Sequence, residues 1–253
     1  MLYSQKVRKI APEMDSLKRG MGWNTKDLEK MQVIVESTYG KSHPGSAHLN
    51  VIVNEAMDEL ANLGAKPADY YATDICDGQA QGHDGMNYSL VSREIIADMI
   101  EIHVNATGFD GGIFVASCDK GMPGNLVAMC RVNIPSIVIP GGVMNAGPNL
   151  LTLNQVGTYS AMHKRGEITK EQYESYRENA CPSCGACSFM GTAATMQVLS
   201  EALGLALTGA ALLPATSDIL KLYARKSSKA LINLIEKGIR VSDIVNKKSI
   251  ENA

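Results

Sequence analysis

Aromatic side chains are scarce in this sequence, which has one tryptophan and three phenylalanines among its 253 residues. Positive charge is not in excess either, because 24 lysines and arginines stand against 26 acidic residues, for a net charge of -2. Since a nucleic-acid surface requires a concentrated excess of cationic side chains, we expect no nucleic-acid partner. Uninterrupted apolar runs of about 18–20 residues, which a membrane-spanning helix needs, are also missing, so we expect no membrane contact.

Cysteine is too infrequent for a disulfide framework, with six residues in the whole chain. The first residues contain no apolar signal region with a cleavage site, so we expect a cytoplasmic protein whose thiols stay reduced. Such thiols serve as metal ligands, as catalytic groups or as small buried side chains. They lie in the middle of the chain, at positions 76, 118, 130, 181, 184 and 187. Cys130 stands in an apolar helical pattern, and we expect it in the core.

Short β-branched runs alternate with helical patterns through residues 31–139. This alternation is typical of parallel strands that are joined by helical crossovers. The predicted strands cover 31–35, 70–75, 112–117 and 136–139, and the helices between them cover 49–63, 91–104 and 124–131. A polar helix that ends near Gly20 precedes them, and later helices are predicted over 152–165, 169–179, 188–207 and 221–237. The sequence therefore predicts an α/β fold, with a largely parallel sheet flanked by helices and a helical second half, in a single metal-binding domain over residues 1–253.

Chemically reactive side chains concentrate where the predicted strands end, which is where ligand sites lie in open α/β sheets. Cys118, Asp119 and Lys120 directly follow one strand. A thiolate suits a soft metal and a carboxylate suits a hard one, so these neighbours could serve two different metals side by side. The aspartate and the lysine could instead form only a salt bridge.

The loop over 76–86 is rich in glycine, which lets the backbone approach a ligand closely. Asp77 is its best-placed ligand for a hard metal ion. His83 and Asp84 are predicted to bind substrate or to shape the loop. Cys76 is either a further thiol ligand or a buried neighbour of Asp77.

Three thiols stand at three-residue intervals, as Cys181, Cys184 and Cys187, with proline and glycine between them. Small residues allow a backbone to fold tightly around a metal, and thiolates are the usual ligands of zinc and of iron–sulfur clusters. The spacing resembles part of a ferredoxin run but lacks the fourth cysteine. At least one of the three is predicted to bind metal, and the others could be buried thiols.

Together these loops resemble the dihydroxy-acid dehydratase and 6-phosphogluconate dehydratase family. The matching segments keep their order and spacing and are Cys76-Asp77-Gly78, Gly82-His83-Asp84-Gly85-Met86, Ser92-Arg93-Glu94, Cys118-Asp119-Lys120 and Gly185-Ala186-Cys187. The resemblance implies that Asp77, Asp119 and a carbamylated Lys120 bind Mg2+. It also implies that Cys118 and Cys187 bind an iron–sulfur cluster of the 2Fe-2S or 4Fe-4S type.

The activity implied by the resemblance is that of a hydro-lyase, which removes water from a 2,3-dihydroxy acid or a sugar acid and leaves a 2-keto acid. Lys120 takes a catalytic role in this scheme, as a ligand of the Mg2+ that polarises the substrate. His83 and Asp84 are its expected substrate-binding residues. The polarity of Gln79, Gln81 and His83 slightly favours a sugar acid.

One ligand position departs from the family pattern. The first cluster cysteine of the family corresponds to Gly45, in a loop over 43–49 whose two histidines could each cap a helix or pack. Cys184, Cys181 or Cys76 could take its place. Cys184 is the predicted substitute, because it is an extra thiol near the last cysteine of the run.

Family members are also more than twice as long, and their C-terminal domain supplies a glutamate ligand and a serine base. We therefore expect the N-terminal part of a larger or two-chain enzyme, with a second polypeptide as partner and a homo- or hetero-oligomeric assembly. The alternative is a non-catalytic protein that binds an iron–sulfur cluster or zinc on the same scaffold. A nucleotide-binding protein is disfavoured, because the sequence has no Gly-x-x-x-x-Gly-Lys-Ser/Thr phosphate loop.

Overall fold

One parallel sheet organises the computed structural model, which describes all 253 residues. Its strands are β1 (Gln32–Ser37), β2 (Lys66–Tyr71), β3 (Gly111–Ala116) and β4 (Ser136–Pro140), in the spatial order β2-β1-β3-β4. Val35 of β1 pairs with Asp69 of β2 and with Ile113 of β3, which in turn pairs with Ile137 of β4. The predicted α/β class with a parallel sheet is confirmed.

Thirteen α-helices surround the sheet, and none of them combines the length and the apolarity that a membrane crossing requires. They are α1 (Tyr3–Ile10), α2 (Glu13–Gly20), α3 (Thr25–Glu29), α4 (Leu49–Asn62), α5 (Asp77–Ala80), α6 (Ser89–Thr107), α7 (Gly121–Val132), α8 (Leu153–Lys164), α9 (Lys170–Asn179), α10 (Thr192–Ala202), α11 (Ile219–Lys237), α12 (Val241–Ile244) and α13 (Lys247–Asn252). Two 3-10 helices cover Asp84–Tyr88 and Pro148–Leu150. The second half of the chain is helical, as predicted.

The core has two apolar layers, one on each face of the sheet. Ile34 and Phe114 pack with α6 and α7 on one face, and Val35 and Ile113 pack with α4 and α11 on the other. Strands β1, β3 and β4 are buried along their whole length, which explains their nearly continuous apolar sequences. Burying apolar surface on both faces is the main force that holds these layers together.

Three predictions of local structure are wrong. Strand β2 lies at Lys66–Tyr71 rather than 70–75, because a partly exposed edge strand tolerates the polar residues and the proline of its first half. The polar N-terminal segment forms three helices, and the last begins at a capping box in which Asn24 Oδ1 accepts from the Asp27 amide (3.0 Å). Cys130 is exposed rather than part of the core, since it lies on the solvent side of α7.

The neighbouring strands β1 and β3 continue to opposite faces of the sheet. β1 leads into α4 on one face, and β3 leads into α7 on the other. Such divergence opens a crevice beyond the carboxyl ends of the two strands, and ligands bind there in open α/β sheets. The loop that carries the predicted ligands Cys118, Asp119 and Lys120 begins at this crevice, directly after β3.

Candidate metal centre

Thiol and imidazole side chains from three loops meet at this crevice. His43 follows β1, Cys76 follows β2 and Cys118 follows β3. One ligand atom of each lies within 4.8 Å of the other two, so the three side chains could hold a metal ion together. His43 and Cys118 are buried, and Cys76 is partly buried. We refer to these three residues as the sulfur group.

Gly45 has no side chain to enter the space beside the sulfur group. A Cβ atom at position 45 would stand 2.8 Å from Cys118 Sγ and 3.1 Å from His43 Nδ1, closer than ordinary van der Waals contact. A cysteine at this position, as in the family pattern, would therefore collide with Cys118 as it is placed here. Glycine, which has no Cβ, fits this position beside Cys118 and His43.

The two thiols of the sulfur group differ in acidity because they interact with each other. The neighbouring Cys118 thiol lowers the pKa of Cys76 to about 6, against the opposing effect of burial. The same interaction, followed by burial, raises the pKa of Cys118 well above its ordinary value. Since the thiolate is the form that binds metal, Cys76 is available as a ligand near neutral pH.

A buried carboxylate, Asp74, holds the imidazole of the sulfur group. His43 Nε2–H donates to Asp74 Oδ1 (2.9 Å), and Ser46 Oγ donates to the same oxygen (2.5 Å). Burial lowers the pKa of His43, but the hydrogen bond and the charge of Asp74 outweigh this effect, so the net shift is upward. Asp74 was missed in the sequence, although an aspartate inside a predicted apolar strand was an available signal.

A second buried acid, Glu36, was also missed. It lies in β1, is inaccessible to solvent, and its Oε1 accepts from the Ala72 amide (3.3 Å). Burial raises the pKa of Glu36 well above its ordinary value, and the charge of Asp74 adds to the shift. Its position directly after the apolar β-branched run Val33-Ile34-Val35 was the signal that could have revealed it.

Two carboxylates and a lysine, which are the predicted oxygen ligands, lie next to the sulfur group. Lys120 Nζ donates to Asp77 Oδ2 (2.5 Å), and Ser89 Oγ donates to both carboxylate oxygens of Asp77 (2.9 Å each). Asp119 Oδ1 accepts from the backbone N–H of Ala193 (3.0 Å), in the first turn of α10. Burial, and then the charge of Asp77, raises the pKa of Asp119. We refer to Asp77, Asp119 and Lys120 as the oxygen group.

Backbone hydrogen bonds fix the cysteine run against two of the strand-end loops. Gly185 N donates to Pro44 O (2.9 Å), and Ala186 N donates to Gly142 O (3.0 Å). Gly185 has φ +114°, and a Cβ there would stand 2.5 Å from Met144 N, so no other residue fits this close approach. The run is thus tied to the loops after β1 and β4.

The predicted cysteines of the run face different surroundings. Cys187 lines an apolar cavity of 310 Å³, and burial, followed by the charges of Asp119 and Cys76, raises its pKa to about 12. Cys184 instead lines a separate cavity of 250 Å³ with His48. The structure therefore groups Cys76, rather than Cys184, with Cys118, and the role of Cys184 as a ligand stays a prediction.

The predicted substrate-binding residues are exposed at the edge of the crevice. His83 Nδ1 accepts from Gly85 N (3.0 Å), and its Nε2 lies 2.9 Å from Gln79 O, so the ring caps the 3-10 helix that begins at Asp84. His83 also lines a cavity of 450 Å³ that reaches Cys76. A larger cavity of 630 Å³, near Asp110, opens at the amino ends of the strands and contains none of the predicted ligands.

The crevice beyond β1 and β3 contains thiol, imidazole and carboxylate side chains. The fold and the site therefore define an α/β protein with a candidate metal centre. The family model described as "Dihydroxy-acid/6-phosphogluconate dehydratase N-terminal" matches residues 30–253, and the chain belongs to this family. The resemblance predicted from the loops is therefore confirmed.

Curated relatives agree with the family assignment. Dihydroxy-acid dehydratases of Caldicellulosiruptor bescii and Halothermothrix orenii are each 41% identical to this chain, over 245 and 241 residues. Each comparison covers 94% of this chain and 44% of the relative. The chain thus spans less than half the length of the curated relatives that it matches.

Proposed function

We propose that this chain is the metal-binding N-terminal part of a hydro-lyase that removes water from a dihydroxy acid and forms a 2-keto acid. The observation that carries the proposal is the meeting of the sulfur group and the oxygen group in one crevice. The matched relatives, which are named dihydroxy-acid dehydratases, support the same reaction. Both 2,3-dihydroxy acids and sugar acids belong to the proposed substrate class.

The oxygen group is proposed to hold Mg2+, with Lys120 carbamylated as in the family. Hard cations prefer oxygen ligands. Burial raises the pKa of Asp119 and repulsion from Asp77 adds to the rise, and a cation bound between the two carboxylates would relieve that repulsion. Cys118 and Cys187 are proposed to hold the iron–sulfur cluster, because thiolates suit iron. The placement of Cys184 in another cavity opens the remaining ligand positions to other side chains.

The bound metals would supply Lewis-acid stabilisation of the substrate's oxygen atoms. The residues of this chain prepare the site for that chemistry: Ser89 holds the carboxylate of Asp77, and the Ala193 amide holds that of Asp119. Preorganised charges need no rearrangement during the reaction. His83 and Asp84 are proposed to contact the substrate's hydroxyl or carboxylate groups. The base that removes the C2 proton is proposed to come from the part of the relatives that this chain does not span.

A second polypeptide and an oligomeric assembly are the proposed partners. The helix α6 carries an apolar row on its outer side, which supports a contact surface there. Val91, Ile95, Met99 and Ile102 recur at helical spacing and are 41–69% exposed. Exposed apolar rows of this kind mark protein–protein contacts more often than isolated apolar residues do.

The proposal is tested by purifying the chain without oxygen and measuring its iron, acid-labile sulfide and magnesium. The remaining portion of a relative is then added as a separate polypeptide, and 2-keto acid formation is measured on a panel of dihydroxy and sugar acids. We expect both metals to copurify and keto acid to form only in the mixture.

Two cysteine variants provide a matched comparison. Cys118→Ala should lose iron and activity, whereas Cys130→Ala, which removes an exposed thiol on α7, should keep both. Bound iron without keto acid from any substrate would favour the non-catalytic alternative. Absence of iron from the unmodified chain would overturn the proposed cofactor.

A further inference from the structure

The imidazole of His43 is buried and has one unused ring nitrogen. Its side chain is 1% exposed, and its Nδ1 has no hydrogen-bond partner. Buried polar atoms nearly always have a partner, so an unpartnered ring nitrogen requires an explanation. A helix cap or a packing role, the two possibilities that the sequence left open, would not explain it.

The surroundings of His43 fix which ring nitrogen carries the proton. A carboxylate only accepts hydrogen bonds, so the contact of 2.9 Å with Asp74 places the proton on Nε2. Nδ1 then presents a lone pair. A histidine whose second nitrogen donates to a carboxylate is the usual arrangement of a metal ligand, because the carboxylate sets the tautomer and the ring orientation. Ser46 in turn fixes Asp74 through a hydrogen bond of 2.5 Å.

The Nδ1 atom of His43 and the thiol of Cys118 both border the space beside Gly45. A Cβ atom at position 45 would stand 3.1 Å from His43 Nδ1 and 2.8 Å from Cys118 Sγ. A glycine there keeps this space free of side-chain atoms. Together with Cys76, the two residues present one nitrogen and two sulfurs within 4.8 Å of one another.

We propose that His43 is an iron ligand through Nδ1, beside the thiolates of Cys118 and Cys76, and that Asp74 is its positioning residue. The inference rests on the proposed function, because it assumes that an iron–sulfur cluster occupies this crevice. It gives the cluster mixed imidazole and thiolate ligation instead of ligation by cysteine alone. Imidazole is a known replacement for thiolate on cluster iron, and it raises the reduction potential.

The experiment uses the full chain, reconstituted without oxygen with ferrous iron and sulfide and then reduced. Iron and sulfide per chain are measured first. Pulsed electron paramagnetic resonance then detects nitrogen coupled to the cluster, with and without 15N-labelled histidine. We expect a strongly coupled nitrogen signal that changes on histidine labelling.

Three variants localise the signal. His43→Cys should retain the cluster, lose the histidine coupling and lower the reduction potential, because a thiolate adds negative charge. Asp74→Asn should keep the coupling but weaken iron binding by about 10–100-fold. His103→Gln, which removes a partly buried histidine stacked on Tyr70, is the control and should change none of these values.

The outcomes separate this inference from the proposed function. A cluster without histidine coupling, or a coupling that persists in His43→Cys, overturns the inference and leaves the proposed function standing. A wild-type chain that binds neither iron nor sulfide overturns both. Because the labelled wild-type chain shows by itself whether any histidine binds the cluster, absence of the coupling overturns the inference even if a variant fails to fold.

Discussion

Gly45→Ala is the smallest change that probes the space inside the sulfur group. The added Cβ would stand 2.8 Å from Cys118 Sγ and 2.9 Å from Cys118 Cβ. Cys118 is 4% exposed and lies at the end of β3, so it cannot move away without disturbing the buried residues around it. The backbone at Gly45 is outside the left-handed region, which makes the expected effect steric rather than conformational.

Adding a buried carbon that stands closer than van der Waals contact to its neighbours typically costs about 1–3 kcal/mol. We expect Gly45→Ala to lower the free energy of unfolding by about this amount. For a chain of this size, each kcal/mol corresponds to a fall of roughly 2–4 °C in Tm. The same carbon would occupy the space between Cys118 Sγ and His43 Nδ1, so we also expect the variant to bind less iron after reconstitution.

The assay is urea-induced unfolding followed by circular dichroism, together with iron analysis of the reconstituted chain. Gly157→Ala is the control, because Gly157 lies within α8 and a Cβ there would have no atom within 4 Å. A glycine in a helix interior is less favourable than alanine by about 0.5–1 kcal/mol, so the control should gain stability. Equal stability of Gly45→Ala and the wild type, with full iron binding, would refute the steric argument.

Three further predictions concern other parts of the molecule. Glu36→Gln should be more stable than the wild type by an amount that grows by about 1.4 kcal/mol per pH unit, from the unfolded pKa near 4.5 up to the raised pKa of the folded state. The reason is that, in this pH range, the unfolded wild type gives up the Glu36 proton while the folded state keeps it. A difference in unfolding free energy between variant and wild type that stays constant across this pH range would contradict the prediction. Asp77→Asn should abolish the rise in Tm that Mg2+ produces, whereas Asp98→Asn, on the exposed side of α6, should leave this rise intact. A rise in Tm with Mg2+ that persists in Asp77→Asn would exclude Asp77 as a ligand. Ile95→Glu should reduce self-association measured by light scattering, because it places a charge in the apolar row of α6, and an unchanged molar mass would remove α6 from the contact.

Much of the fold followed from local patterns. The β-branched runs around Val33, Ile113 and Ile137 predicted buried parallel strands. Helices cover both faces of such strands, so their residues are apolar throughout. The edge strand β2 was displaced by four residues in the prediction, since it carries no apolar run of that kind. Cys130 was misplaced because the apolar pattern around it does not tell which side of α7 faces the sheet.

The sequence by itself determined the chemistry that each loop could offer: thiols at 76, 118 and 187, carboxylates at 77 and 119 with a lysine at 120, and family membership through their order. Only the tertiary structure decided which of them meet. The β2-β1-β3-β4 strand order brings the loops after β1, β2 and β3 to one crevice, and this places His43 and Cys76 beside Cys118. Backbone hydrogen bonds around Gly185 set the cysteine run so that Cys184 lines a different cavity from Cys187. Such contacts join residues that are distant in the chain, and their geometry depends on crossovers and loop conformations that no local periodicity records.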